Sequence, residues 1–364
     1  MKKYKILTVV GARPQFVKAA ALSREFSKSD VFDEILVHTG QHFDENMSDI
    51  FFEEMQIPLP KYNLEINSLA HGAMTGRMLE GIEKIMIEEK PDMLLVYGDT
   101  NSTIAGALAA KKLHISVAHV EAGLRSFNIK MPEEVNRILT DRISDILLCP
   151  TDAAIENLER EGYNNMDIEI VKSGDVMQDA AEYYAQTSAS KSSIVKDLQL
   201  ESNNFVLVTF HRAENTDDSN RLKSIVSALT EINKDCKVVI PLHPRTKNKL
   251  ELFNIDFPVT AIDPIGYFDM IELLKNCKLV ATDSGGLQKE AFFFKKPCIT
   301  MRDETEWVEL VKGGFNTIVG ADKTLILEAY NKVDSLDLDF SVDLYGNGNA
   351  CENIVISIQK LLDK

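Results

Sequence analysis

Acidic and basic residues follow an apolar run in the stretch VAHVEAGLRSFNIKMPEEVNR, residues 117–137. Glu121 comes directly after the run from Ile115 to Val120, and Glu133 and Arg137 lie four apart in a helix-patterned segment. Residues with this spacing share one helical face, so Glu133 and Arg137 can pair. If the helix N-terminus points into a cleft, the pair becomes an acid oriented by a guanidinium. A solvated loop is the alternative interpretation.

Two other apolar runs of the first half end in polar residues. ILTVV leads to Arg13 and Lys18, and LLVYG leads to Asp99. In a parallel sheet these strand ends meet at one edge, so the residues are expected to form a cluster with Glu121. GARPQFVK offers helix N-terminal amides and two cations to an anion, although so short a motif alone favours a simple turn. Capping explains part of YGDTNST, which leaves Asp99 open between a structural and a functional role.

The second half repeats this arrangement with residues suited to an anion. FVLVTFHRAEN places His211 at a strand end, and PLHPRT places His243 after the next strand. In ATDSGGLQKEAFFF, residues Ser284, Gly285 and Gly286 open a helix whose free N–H groups suit a diphosphate. Glu290 lies six residues beyond Ser284, roughly 9 Å along a helix, which suits a carboxylate on ribose hydroxyls. A capped amphipathic helix is the alternative.

No metal site is expected. His38 and His42 in HTGQH have helical spacing, but the local pattern is a strand followed by a loop. GDTNST lacks the acidic pair of a magnesium site.

Strand and helix patterns alternate along almost the whole chain of 364 residues. Continuously apolar strands predict parallel sheets covered by helices on both faces. The polar, Ser-rich segment 185–204 lies near a candidate inter-domain connection. We expect two Rossmann-like α/β domains facing a cleft. The predicted domains are 1–172, with the carboxylates, and 173–349, with the anion site; the helix 350–364 can pack on either.

The bulk composition excludes several classes of function. The net charge of −16 argues against nucleic-acid and anionic-membrane partners. No segment approaches a membrane span, and the N-terminal run Ile6 to Val10 is too short for a signal sequence. Five scattered cysteines without a CxxC pair indicate reduced thiols. A cytoplasmic protein is expected.

With these motifs in place, the chain resembles the non-hydrolysing UDP-N-acetylglucosamine 2-epimerases over essentially its whole length. The order and spacing of the segments carry the resemblance: GARPQFVKAA, HTGQHFD, YGDTNSTIAGALAA, HVEAGLRS, PEEVNR, GDVMQDA, HRAEN and DSGGLQKEA. It implies a fold like that of GT-B glycosyltransferases, with UDP held mainly by the second domain. It also implies inversion at C2 by elimination and re-addition of UDP through a 2-acetamidoglucal, with no cofactor.

The resemblance implies a role for each matching residue. The acid–base and sugar-binding carboxylates would be Asp99, Glu121 and Glu133. Arg137 would orient the Glu133 region, and His211 would contact the diphosphate. UDP would be bound by Arg13, Lys18, Met270, Ser284, Gly285, Gly286 and Glu290. Gln41, His42 and His243 match a region where bacterial members can be activated by substrate.

Three departures bear on the substrate. Gln15 replaces a common Glu, Met270 stands where an aromatic residue often lies near uracil, and the loop SFNIKM differs from the simplest members. GARPQF, RSFN and TEWVEL look closer to the branch that epimerises UDP-2,3-diacetamido-2,3-dideoxyglucuronate. Lys130 or Arg125 would be available for the additional carboxylate of that substrate.

The leading interpretation is conversion of UDP-N-acetylglucosamine to UDP-N-acetylmannosamine for bacterial surface polysaccharide synthesis, by a cytoplasmic homodimer. The same chemistry on UDP-2,3-diacetamido-2,3-dideoxyglucuronate is the main alternative. A GT-B glycosyltransferase, a hydrolysing epimerase and a non-catalytic nucleotide-sugar sensor are the others. A glycosyltransferase would not need Asp99, Glu121 and Glu133 together.

Overall fold

The computed structural model describes residues 3–41 and 58–364 and divides into two compact units. Unit 1 comprises Met1–Ala180 and Asp343–Lys364, and unit 2 comprises Ala181–Val342. The expected boundary between residues 172 and 173 lies just before this division, and the expected end of the second domain at 349 lies beyond Val342.

Each unit contains one parallel sheet. Unit 1 has the strand order β3-β2-β1-β4-β5-β6-β7, and unit 2 has the order β10-β9-β8-β11-β12-β13. The strands of unit 1 are β1 Tyr4–Val10, β2 Phe32–His38, β3 Tyr62–Asn63, β4 Met93–Tyr97, β5 Ser116–Val120, β6 Ile146–Cys149 and β7 Glu169–Lys172. Those of unit 2 are β8 Phe205–Thr209, β9 Lys237–Pro241, β10 Thr260–Ile262, β11 Leu279–Thr282, β12 Cys298–Thr300 and β13 Asn316–Ile318.

Helices connect the strands. In chain order they are α1 Arg13–Ser27, α2 His71–Glu89, α3 Asn101–Lys112, α4 Pro132–Ile143, α5 Asp152–Arg160, α6 Val176–Lys191, α7 Ile194–Asp197, α8 Ala213–Thr216, α9 Ser219–Ile232, α10 Pro244–Leu252, α11 Tyr267–Asn276, α12 Gly285–Phe293, α13 Val308–Lys312, α14 Lys323–Lys332 and α15 Ala350–Leu362. Short 3₁₀ turns lie at Tyr163–Asn165 and Val333–Ser335. No helix within the two described ranges is long and apolar enough to cross a membrane.

The apolar runs of the sequence form the centres of both sheets. All five residues of β4 are completely buried, as continuous apolarity predicts for a strand covered on both faces. The strand order of each unit is that of a Rossmann fold, and the order reverses between β1 and β4 and between β8 and β11. The expected class of two Rossmann-like α/β units is confirmed. Ligands of such sheets bind at the reversal, beyond the carboxyl ends of the strands.

The C-terminal helix α15 belongs to unit 1. The carboxylate of Asp179 accepts hydrogen bonds from the first two backbone N–H groups of α15, those of Ala350 (3.1 Å) and Cys351 (2.7 Å). This contact supplies acceptors to N–H groups that have none within the helix.

The Ser-rich segment 185–204 was expected to lie near a connection between the domains, and more than half of it is helical. Helix α6 continues to Lys191, and the division between the units falls inside it. Within unit 2, Tyr184 packs edge-on against Tyr267, and the hydroxyl of Ser188 donates to Glu272 over 2.6 Å. These tertiary contacts outweigh the weak apolar periodicity of the segment.

Candidate active site

Glu121 lies one residue beyond β5 and forms an ion pair with the ammonium of Lys18 on α1. Only 12% of the Glu121 side chain and 8% of the Lys18 side chain are exposed. The backbone of Glu121 has a φ of +68°, an uncommon conformation for a residue with a Cβ. Gly98 packs beside the pair, because a Cβ at this position would lie 3.2 Å from Glu121 Oε2. The structure therefore brings together two of the residues predicted to form the site.

Asp99 lies between β4 and α3 and forms an ion pair with the guanidinium of Arg137 on α4. The Asp99 side chain is 31% exposed, whereas Arg137 is buried. Asn136, also on α4, donates its side-chain amide to the backbone carbonyl of Asp99 over 2.9 Å. Helix α4 thus fixes both the backbone and the carboxylate of Asp99.

The pair that the spacing allows between Glu133 and Arg137 does not form. Arg137 donates instead to Glu134 over 2.6 Å, while Glu133 is exposed and makes no ion pair within the described part of the chain. Glu134 is the third residue of α4, and its side chain turns back toward the loop before the helix. Arg137 lies four residues after Glu133 and three after Glu134, so the spacing alone allows a pair with either acid. The loop before α4 binds Glu134 and so determines which pair forms.

The carboxylate of Glu134 is nearly saturated with donors. It accepts from the backbone N–H (2.9 Å) and hydroxyl (2.9 Å) of Ser126 and from the backbone N–H of Phe127 (3.0 Å), as well as from Arg137. Burial alone would raise the pKa of Glu134, but the Ser126 N–H and the Arg137 guanidinium bring this pKa below its ordinary value. A continuous polar chain therefore joins the loop 126–127 to Asp99 through Glu134 and Arg137.

Gln15 connects the turns that follow β1 and β4. Its Oε1 accepts from two backbone N–H groups of the first turn, at 2.8 and 3.0 Å. Its Nε2 lies 2.8 Å from the carbonyl of Tyr97 and 3.0 Å from the hydroxyls of both Thr100 and Thr103. Gln15, which replaces a common Glu, therefore makes hydrogen bonds with both its amide oxygen and its amide nitrogen.

Replacing Gln15 with Glu is expected to lower the free energy of unfolding by roughly 2–3 kcal/mol, since a buried acceptor would lose its donor. A carboxylate cannot donate to the Tyr97 carbonyl and would face it directly. Urea denaturation followed by circular dichroism measures the change. Gln186→Glu, on the exposed face of α6, is the matched control, and equal stability of the two variants would contradict this role.

Two further predicted residues, Arg13 and Gln41, lie near the ends of β1 and β2. Arg13 is the first residue of α1. Gln41 accepts from the backbone N–H (3.1 Å) and the hydroxyl (2.9 Å) of Ser102, in the first turn of α3. His42 lies outside the described residues.

The two cations considered for an additional substrate carboxylate differ in their surroundings. Arg125 is buried, and its guanidinium donates to Asp141 (2.7 Å) and, through two nitrogens, to Glu161 (2.7 and 2.8 Å). Lys130 is exposed and makes no ion pair among the residues that the structure describes. Arg125 is therefore bound by two carboxylates, whereas Lys130 is open to solvent.

In unit 2, Asp283 organises the segment after β8. Its fully buried carboxylate accepts from the backbone N–H of His211 (3.0 Å), the backbone N–H of Arg212 (3.0 Å) and the side-chain amide of Asn215 (3.1 Å). The His211 side chain remains 45% exposed and stacks on His243, with ring centroids 5.4 Å apart. Sequence reasoning missed Asp283, although it stands directly before Ser284.

Ser284, Gly285 and Gly286 lie at the start of α12. Ser284 is the N-cap, and a Cβ on Gly285 would lie 2.5 Å from Glu306 Oε1, so a side chain here would displace the Glu306 carboxylate. Arg302 is buried and donates to Glu306 over 2.8 Å. Burial by itself would raise the pKa of Glu306, but Arg302 holds this pKa below its ordinary value. Sequence reasoning assigned no role to Arg302 or Glu306.

Glu290 and Met270 lie on neighbouring helices of unit 2. Glu290 is nearly buried on α12 and accepts a hydrogen bond from the hydroxyl of Tyr267 over 3.0 Å. Met270 is half-buried on α11, three residues after Tyr267. Both predicted residues therefore occur in the same unit as Ser284.

The two units carry complementary chemistry. Unit 1 presents carboxylates at the ends of two adjacent strands, and each has its own cation: Lys18 for Glu121 and Arg137 for Asp99. Such carboxylates suit proton transfer at carbon. Unit 2 presents glycines, a helix N-terminus and an exposed His211, which suit an anion such as a diphosphate.

The chain matches known sequences over nearly its full length. Residues 24–359 match the family described as UDP-N-acetylglucosamine 2-epimerase. A UDP-2,3-diacetamido-2,3-dideoxy-D-glucuronate 2-epimerase of Pseudomonas aeruginosa is 54% identical over 358 residues, covering 98% of this chain and 100% of that protein. A UDP-N-acetylglucosamine 2-epimerase of Methanocaldococcus jannaschii is 43% identical over 366 residues, covering 96% of this chain and 98% of that protein.

Solved structures agree with these matches. The Methanocaldococcus jannaschii UDP-GlcNAc 2-epimerase in complex with UDP-GlcNAc and UDP has a TM-score of 0.89 at 42% identity, covering 98% of this chain and 99% of that one. The Neisseria meningitidis UDP-GlcNAc 2-epimerase bound to UDP-GlcNAc has a TM-score of 0.88 at 29% identity, covering 98% of this chain and 100% of that one.

The two Rossmann-like units and these structural neighbours define a protein of the GT-B-like α/β class. Within this class, the chain belongs to the UDP-N-acetylglucosamine 2-epimerase family. The resemblance identified from the motifs is confirmed, and so is the prediction that the protein is an isomerase.

Proposed function

We propose that the protein inverts C2 of a UDP-linked 2-acetamido sugar without hydrolysing it. A carboxylate removes the C2 proton, the C–H electron pair forms a C1=C2 double bond, and the C1–O bond breaks with its electrons leaving on UDP. A carboxyl group then returns a proton to the opposite face of C2, and a UDP oxygen adds back to C1. The observation that carries this proposal is the pair of separately charge-balanced carboxylates, Glu121 and Asp99, on adjacent strand ends.

The roles in unit 1 follow from the surroundings of each residue. General acid–base catalysis requires a carboxyl group held in a fixed position, and a cation on a neighbouring helix holds each of these two. Glu121 is largely shielded beside Lys18, and Asp99 is partly exposed beside Arg137. We assign Glu121 and Asp99 to proton transfer, with exposed Glu133 binding the sugar or sharing in that transfer.

Unit 2 would bind UDP and stabilise it as the leaving group. The N–H groups of Ser284, Gly285 and Gly286 and the side chain of His211 would contact the diphosphate, where charge develops in the transition state. Glu290 would bind the ribose, and Met270 would lie toward uracil. Arg13 would contribute from unit 1, and Gln41, His42 and His243 remain proposed for regulation by substrate.

We propose UDP-2,3-diacetamido-2,3-dideoxyglucuronate as the preferred substrate and UDP-N-acetylglucosamine as the second candidate. Relatives named for both sugars match this chain, at 54% and 43% identity respectively. The choice rests also on Lys130, an exposed cation beside the loop that Glu134 anchors. A glucuronate carries a carboxylate that this ammonium can pair with.

Lys130→Met is expected to reduce the preference for the glucuronate substrate, measured as the ratio of the two kcat/KM values, by about 5–10-fold. This corresponds to an exposed ion pair worth about 1 kcal/mol. Lys112→Met, on the exposed end of α3, is the matched control. An unchanged ratio, or an equal loss on both substrates, would remove Lys130 from substrate selection.

The substrate is tested by incubating the purified protein with each UDP-sugar and identifying products by ¹H NMR. We expect the C2 epimer, still attached to UDP, with a higher kcat/KM for the glucuronate. Free sugar and UDP would indicate a hydrolysing epimerase, and turnover only with an added acceptor would indicate a glycosyltransferase. Binding without turnover of either sugar would indicate a sensor.

We also propose that the enzyme acts in the cytoplasm as a homodimer and supplies precursors of surface polysaccharides, as its family membership suggests. Light scattering coupled to size-exclusion chromatography measures the oligomeric state. A mass of one chain at assay concentration would overturn the dimer.

A further inference from the structure

His119 is a completely buried histidine in β5, two residues before Glu121. Its Nε2 lies 2.7 Å from the carbonyl oxygen of Gly98, and its Nδ1 lies 2.7 Å from Asp141 Oδ1 on α4. Neither the motif comparison nor the proposed chemistry assigns a function to this ring.

Both ring nitrogens of His119 face hydrogen-bond acceptors. The Gly98 carbonyl can only accept, so Nε2 carries a proton. Asp141 also accepts from the Arg125 guanidinium (2.7 Å) and the backbone N–H of Gly123 (3.2 Å), as an ionised carboxylate does. Burial alone would raise the pKa of Asp141, but His119 and Arg125 lower this pKa below its ordinary value. Both ring nitrogens of His119 are thus placed to donate, Nε2 to the Gly98 carbonyl and Nδ1 to Asp141.

The contact with Gly98 links His119 to the two turns that carry the proposed catalytic carboxylates, Asp99 and Glu121. Gly98 immediately precedes Asp99, has a φ of +60°, and donates its own N–H to the carbonyl of Val120 over 2.9 Å. The same glycine packs against Glu121 Oε2, 3.2 Å from where a Cβ would lie. Through the Gly98 carbonyl, the ring thus contacts a residue that precedes Asp99 and packs against Glu121.

We propose that His119 is a positioning residue for the epimerase reaction: its doubly protonated ring donates to Gly98 and Asp141 and thereby sets the separation of Asp99 and Glu121. This inference rests on the proposed function, because it concerns the carboxylates assigned to proton transfer. Errors of about 1 Å in the placement of reacting groups cost roughly 10²-fold in rate.

Two substitutions separate the two contacts. Asn places its amide nitrogen near the position of Nδ1, which retains the donor to Asp141 and removes the donor to Gly98. Gln places its amide nitrogen near Nε2, which retains the donor to Gly98 and removes the donor to Asp141. His119→Asn is expected to lower kcat by roughly 10²-fold with little change in KM, and His119→Gln is expected to lose less. His114→Asn, at an exposed position after α3, is the control.

The kcat values are measured per folded protein, with folding checked by circular dichroism. A lower kcat for the Asn variant than for the Gln variant supports positioning through Gly98. Equal kcat values, or an effect confined to KM, would overturn it.

A measurement on the unmodified protein covers the case in which these variants do not fold. In protein labelled with ¹⁵N-histidine, we expect one imidazole at the assay pH with protons on both nitrogens, both slow to exchange with water. A buried imidazole with one unprotonated nitrogen would contradict the proposal. This readout needs no substrate, so it is separate from a failure of the proposed epimerase activity.

Discussion

Glu121→Gln is expected to lower kcat for C2 epimerisation by about 10³-fold, the scale of a general acid–base contribution. The amide keeps the shape of the side chain but cannot take a proton from carbon. It also leaves the Lys18 ammonium without its carboxylate in a largely shielded position. Affinity for UDP should be nearly unchanged, because the proposed contacts to UDP lie mainly in unit 2. Progress curves by NMR give kcat, and titration calorimetry gives the Kd for UDP.

Glu89 offers a matched control for the charge change. Its carboxylate is also shielded and pairs with two lysines, Lys5 and Lys61. Glu89 is the last residue of α2 and contacts the start of β1 through Lys5, so it lies at the edge of the sheet opposite to Glu121. Glu89→Gln removes a paired carboxylate from the same unit and should retain kcat. Full activity of Glu121→Gln would exclude this residue from proton transfer, and an equal loss in both variants would point to a general loss of structure.

Glu134→Ala is expected to lower the free energy of unfolding by about 3 kcal/mol, as removal of one member of a buried ion pair does. Arg137 would lose one of its carboxylate partners, and the N–H groups of Ser126 and Phe127 would lose their acceptor. Because Arg137 also holds Asp99, we expect kcat to fall roughly 10²-fold in the fraction that folds.

The adjacent residue separates stability from chemistry. Glu133 is exposed, so Glu133→Gln should leave the free energy of unfolding within about 0.5 kcal/mol of the unmodified protein. Its kcat then reports the role of the carboxylate alone. Urea denaturation and initial rates on both variants provide the comparison. If Glu133→Gln destabilises the protein as much as Glu134→Ala, the assignment of the buried acid is wrong.

The sheets could be predicted because their strands are short, continuous apolar runs. The run YKILTVV matches β1, and PEEVNRILTDRI and SNRLKSIVSALTEI match α4 and α9. The polar residues after those runs had to meet at the carboxyl edge, since all strand pairs expected there are parallel. The short strands β3 (Tyr62–Asn63) and β13 (Asn316–Ile318) contain no apolar run, so the pattern does not predict them.

The pairings within the site could not be predicted, because each depends on how a loop folds back. Glu133 and Glu134 are equivalent in spacing terms, and only the path of the loop 126–127 selects Glu134. The sequence also leaves Arg125 available to a substrate, whereas in the structure it pairs with Asp141 and Glu161, which are distant in sequence. The resemblance to a family identifies the motif residues. It does not identify the residues that position them, such as Glu134 and Asp141.

The most direct measurement of the central claim is incubation of the protein with the UDP-sugar in deuterated water, with C2 followed by NMR. Proton transfer at C2 with elimination of UDP predicts that the epimerised, UDP-linked product carries deuterium at C2. An epimer that forms while retaining its original C2 hydrogen would contradict proton abstraction by Glu121 or Asp99, and with it the proposed mechanism.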